Sequence, residues 1–98
     1  MELKDFDFLS DSTEQTSTRF VTFVSPGLNR FDLAIVTTNR FYGKKLVIDM
    51  QSGRSGVLAY DDLEEDGVIA SVFRIEEEQA AELSQFLSLV LGEVHFTD

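Results

Sequence analysis

Apolar and polar positions fall into three regimes along the chain. Residues 1–18 alternate weakly at Leu3, Phe6, Phe8 and Leu9, then run through a polar stretch, Ser10 to Thr18, with no period. That pattern predicts a short strand or helical turn and then a loop or arm. From Arg19 the β signal is clear: β-branched and aromatic runs bounded by turn chemistry predict strands over 18–25, 31–38, 45–50 and 57–61. Ser25-Pro26-Gly27, Asn39 to Lys44 with Gly43, and Gln51 to Gly56 supply the reversals. These connections are too short for crossover helices, so the strands form an antiparallel meander.

The third regime is helical. Residues 75–91 place Ala80, Leu83, Phe86, Leu87, Val90 and Leu91 on one broad face at helical spacing. Glu76, Glu77 and Glu78 open it, where the helix dipole favours acids, and Gly92 follows as a C-cap. Residues 67–73 fit either period. Val68, Ala70 and Val72 make a strand face, while Ile69, Val72 and Phe73 make a helical stripe, and a fifth strand is the expectation. The fold class is therefore α+β: an antiparallel β-meander of four to five strands packed on one C-terminal α-helix. A single domain over 1–98 divides into an arm (1–18), a sheet (19–73) and a helix (75–92).

Parity assigns the faces. Joining the first two strands around Ser25–Arg30 sets Val24 opposite Phe31, Thr22 opposite Leu33 and Phe20 opposite Ile35. If Leu46, Ile48 and Met50 join that face, one register opposes Asp32 with Asp49, a like-charge pair that destabilises. A shift of two residues opposes Ala34 with Asp49 and Leu33 with Met50, and is preferred. One helix covers one face. The second face, with Val21, Phe23, Ala34, Val36 and Val47, is too apolar for water, so it is the candidate interaction face. The Phe6/Phe8 segment could cover it, but the expectation is a homodimer formed through this face or an open edge strand, with another cytosolic protein as the further partner.

Composition narrows the function. The 98 residues include no cysteine, which removes thiolate catalysis, zinc fingers, iron–sulfur clusters and disulfides. The start, Met1 to Asp5, lacks a signal-peptide pattern, and no run approaches the ~18 apolar residues of a membrane span. A cytoplasmic protein is expected, with no membrane partner. Eighteen acids against eight bases give −10, but the charge is zoned. Residues 1–18 carry −4, residues 19–54 carry +4 and residues 55–98 carry −10.

Several patterns hint at chemistry and then fall short. Asp62, Glu64, Asp66, Gly67 and Ile69 partly match a calcium loop, but Phe73 stands where the bidentate Glu belongs. Gly53-Arg54-Ser55-Gly56 matches a G-x-x-G nucleic-acid clamp, yet it joins two strands where that clamp joins two helices, so it reads as a hairpin turn. Arg-Phe recurs at Arg19-Phe20, Arg30-Phe31 and Arg40-Phe41. Bases beside aromatics suit single-stranded nucleic acid, giving an alternative anion site of Arg19, Arg40, Phe41, Tyr42, Lys44 and Lys45. The meander, however, delivers Asp61, Asp62, Glu64, Glu65 and Asp66 to the same sheet end, so mutual neutralisation is the simpler account. The overall charge also repels a polyanion. His95, the one histidine, has no nucleophile beside it, and Ser84 and Ser88 have no base in register. No catalytic residue, metal ligand or cofactor is assigned, and the chain is not expected to be an enzyme.

The Asn-Arg-Phe and Ser-Gly-Arg-Ser-Gly turns, Asp-Asp-Leu-Glu-Glu-Asp-Gly, and Phe-Arg-Ile-Glu-Glu-Glu before a Leu-rich helix occur in that order. The chain in this respect resembles a family of small cytosolic proteins from Bacillus- and Staphylococcus-like bacteria, a domain of unknown function. The resemblance implies a Firmicute cytosolic origin and brings no active site to carry over. The motifs that carry it are turns and caps. The functional expectation is a non-catalytic protein-interaction or regulatory module.

Overall fold

A computed structural model describes residues 5–92. Four strands, β1 (Ser17–Val24), β2 (Arg30–Thr37), β3 (Lys45–Asp49) and β4 (Ser55–Leu58), form an antiparallel sheet in the order β1-β2-β3-β4. Three helices follow: α1 (Tyr60–Leu63), α2 (Val68–Phe73) and α3 (Glu77–Leu91). The α+β meander with its C-terminal helix is thus as expected, with four strands in the sheet. The fourth strand ends earlier than the expected 57–61, because Tyr60 and Asp61 already belong to α1.

The hairpin between β3 and β4 shows why its residues turn. The Asp49 carboxylate accepts from the Gln51 N–H (3.0 Å) and the Ser52 hydroxyl (2.8 Å). Gly53 takes φ +82°, and its N–H reaches the Asp49 carbonyl at 2.7 Å. A left-handed φ is nearly free for glycine and costs other residues about 1–2 kcal/mol. Gly53 and Arg54 of the G-x-x-G stretch belong to this reversal, while Ser55 and Gly56 open β4.

The segment expected as a fifth strand is helix α2. Ile69 and Phe73 sit four residues apart on one face and are both buried, so the helical stripe won. Left-handed residues bracket it, Gly67 at φ +80° and Arg74 at φ +56°. The N–H groups of Arg74 and Ile75 both close on the Ala70 carbonyl, a tight helix stop. α3 begins where the Glu76 N–H meets the Gln79 side chain (3.2 Å), with Glu77 and Glu78 in its first turn.

All three helices lie over one face of the sheet. Phe31, Leu33, Ile35, Val47 and Leu58 from the strands meet Ile69 and Phe73 of α2 and Ala80, Leu83, Leu87 and Val90 of α3 in one buried cluster. Burying a side chain of this size stabilises by about 1.5–3 kcal/mol. Phe23 bridges the edge of the cluster, stacking on Phe86 at 4.3 Å between ring centroids and tilting against Phe31 at 5.2 Å.

The registers correct the expected faces. β1 pairs Val24 with Arg30, Phe23 with Phe31 and Val21 with Leu33, one residue away from the expected pairing. The cause is the loop, which holds five residues (Ser25 to Asn29), closed by the Ser25 N–H on the Asn29 carbonyl at 2.8 Å. A one-residue slip moves every side chain to the other face. Likewise β2 and β3 pair Leu33 with Asp49 and Ile35 with Val47, a register between the two considered. Leu46 and Ile48 therefore lie on the outer face and Val47 on the inner one. Asp32 and Asp49 stay apart in this arrangement too.

Candidate functional site

The outer face of the sheet is the most distinctive surface. Alternation along the paired strands puts Phe20 on β1, Ala34 and Val36 on β2, Leu46 and Ile48 on β3 and Val57 on β4 on this side. Phe20 is 70% exposed and Val57 38%, while Val36, Leu46 and Ile48 are half-buried by their own neighbours. Ala34, opposite Phe20 and Ile48, is small enough to be covered by them alone. No helix packs on this side among the described residues, and Phe6 and Phe8 of the arm remain exposed.

Of the five residues expected on the interaction face, only Ala34 and Val36 are there. Val21 and Phe23 are half-buried against the core, and Val47 is fully buried within it. Phe20, Leu46, Ile48 and Val57 take their places. One sequence signal could have found them. The observed register opposes Thr22 with Asp32, polar with polar, joined by a 2.6 Å hydrogen bond from the Thr22 hydroxyl. The expected register set Thr22 against a leucine.

The basic end of the sheet is largely committed to internal partners. Arg40 lies in a 3-10 turn, Asn39–Phe41, that the Thr38 side chain caps. Its guanidinium pairs with Glu14 of the arm (3.4 Å) and donates to the Ser12 hydroxyl at 2.6 Å. The Thr38 hydroxyl also donates to Glu14. Lys44 reaches Asp62 at 3.5 Å, and the same carboxylate accepts from the Ala59 N–H (2.8 Å), holding the start of α1. Tyr42 is 96% exposed at φ +51°, and Phe41 is half-buried. Arg19 and Lys45, on β1 and β3, have no ion-pair partner among the described residues. The candidate anion site is thus a row in which the arm and α1 already supply the anions.

The acidic stretch forms α1 and a turn. Among the described residues no group of three or more acids or histidines is placed to hold a metal. His95 lies outside the described residues, as do Leu3 and the tail beyond Gly92.

A polar cluster that the sequence reading missed ties the β1–β2 loop to α3. The Glu82 carboxylate accepts from the Ser25 hydroxyl (2.5 Å), the Gly27 N–H (2.7 Å) and the Asn29 side-chain amide (2.8 Å). Gln79 adds a 3.3 Å bond to Asn29. The Ser25 hydrogen bond, then that of Asn29, holds the Glu82 carboxyl below the usual carboxylate range, with the Gly27 N–H adding to them and partial burial opposing. Beside this cluster, Phe23, Val24, Phe86 and Leu89 line an open groove of about 460 Å³. The cluster can orient a loop, but it holds no base beside a nucleophile.

Among the described residues no helix is long and apolar enough to cross a membrane. A search of curated proteins found no match to the chain. A protein-family model, described as SAV0927-like, matches residues 9–89, from the arm to the last turn of α3.

Proposed function

The chain belongs to the SAV0927-like family, and we propose that it is a non-catalytic protein-interaction module that works as a homodimer in the cytoplasm. One observation carries the reading: one face of the sheet is sealed under three helices, while the other presents Phe20, Val36, Leu46, Ile48 and Val57 with nothing over them among the described residues. A contiguous apolar surface on a small domain marks an interaction site. The polar clusters support the same reading, since each is built from groups that satisfy one another.

The rival reading, an anion or single-stranded nucleic-acid binder, has exposed Tyr42 and Arg19 in its favour. Arg40 and Lys44 are engaged by Glu14 and Asp62, and a charge of −10 opposes a polyanion at long range. The interaction module is therefore preferred. Light scattering tests it: the expected particle has twice the monomer's 11.0 kDa. A monomer mass at the highest attainable protein concentration would sink the homodimer.

A further inference from the structure

We infer that two copies join edge to edge through β1, making one continuous eight-stranded sheet; this rests on the homodimer reading above and names the surface that forms it. The argument starts from backbone groups. The Ser25 N–H bonds to Asn29, and the Met50 N–H bonds to the Asp32 carbonyl at 2.7 Å. Hydrogen-bonded pairs alternate along antiparallel strands. So the odd residues of β1 bond to β2, and Thr18, Phe20, Thr22 and Val24 direct their N–H and C=O groups outward.

This edge lacks the usual protection. Proteins blunt open edges with proline, lysine, bulges or short strands. β1 is eight residues long, pairs with β2 without interruption, and carries a single charge, Arg19. The opposite edge, β4, has four residues, and α2 presses so closely on it that a Cβ at Gly56 would lie 2.7 Å from Val72. Among the described residues the arm does not cover β1 either, because Ser12 and Glu14 run beside Arg40 and Thr38.

The occupant that fits is a second copy. A two-fold axis through Thr22 sets Phe20 against Val24, Val21 against Phe23, and Thr22 against itself. Apolar meets apolar on both faces, and the outward backbone groups of Phe20, Thr22 and Val24 pair with one another, as an isologous contact requires. The same register carries the added strand's Val21 opposite Phe23, beside the groove of Phe86 and Leu89, where Leu89 is 68% exposed. The outer apolar face then runs across both copies, open to another protein.

The cysteine-free chain makes a clean test. At the axis the two Cα atoms of Thr22 lie about 5.5 Å apart, within disulfide range. Thr22→Cys is expected to cross-link under mild oxidation at least about tenfold faster than Val57→Cys, because pairing holds the thiols together. Thr22→Pro removes an outward N–H and no backbone bond to β2, losing there only the exposed hydroxyl bond to Asp32, so it is expected to halve the particle mass while circular dichroism stays that of the folded chain. Ile48→Asp, on the face but away from the edge, is expected to stay dimeric. If wild type is dimeric, but Thr22→Cys cross-links no faster than Val57→Cys and Ile48→Asp is monomeric, the edge inference falls and the interaction-module reading stands. If wild type is monomeric, both fall. Should Thr22→Pro unfold, the cross-linking rates decide alone.

Discussion

The two faces of the sheet carry nearly the same kind of side chain and meet opposite fates. On the inner face Leu33, Ile35 and Val47 are at most 2% exposed; on the outer face Val36, Leu46 and Ile48, their immediate chain neighbours, stay half-open. Composition does not separate the two sets. What separates them is the helices, which reach only one side, so an apolar side chain becomes core where a second layer exists to receive it.

The sharpest way to break that comparison is a matched pair of truncations. Leu87→Ala, under the inner face and fully buried, is expected to cost about 2–5 kcal/mol in denaturant unfolding. Ile48→Ala is expected to cost well under half of that when measured on the monomer. Equal losses would mean that the outer face is covered as thoroughly as the inner one. A smaller effect is expected at the β4 edge. Gly56→Ala drives a Cβ to 2.7 Å from the Val72 side chain, and overpacking of that kind costs about 1–3 kcal/mol. A thermal melt unchanged by Gly56→Ala would show that α2 can draw back and that β4 is the looser edge.

The smallest effect concerns the loop at the open side of β1. Glu82 titrates below its unfolded value, so the stability it supplies is complete above the ordinary glutamate pKa of about 4.3. That contribution fades as pH falls further and is gone below the depressed folded value. Glu82→Gln is expected to lower the melting temperature at pH 7 and to flatten its fall between neutral and acid pH. A variant whose melting temperature tracks wild type across that range would show that Ser25, Gly27 and Asn29 hold the loop without the carboxylate.

The strands and the long helix were legible because their periods are local properties of 5–15 residues. The faces were not. They depend on whether a loop holds five residues or six, and the groups that hold Ser25 to Asn29 include Glu82, 57 residues from Ser25. β3 was ambiguous for a different reason: Leu46, Val47 and Ile48 are all apolar, so alternation has nothing to read. Residues 67–73 support two periods equally over so short a span, and packing of Ile69 and Phe73 decided between them. The ion pairs at the sheet end were half visible. Topology brought Lys44 to Asp62 as expected, whereas Arg40 found its acid in the arm, whose course no period announces.

The clamp on Glu82 also sets an order of events in synthesis. The ribosome finishes β4 at Leu58, while the helix that carries Glu82 ends at Leu91. At about 5–20 residues per second, synthesis from Leu58 to Leu91 takes roughly 2–7 s. Until that helix is complete, the inner face of the meander lacks its cover and the β1–β2 loop lacks the Glu82 carboxylate. Emergence of the last helix gives the nascent sheet an inside.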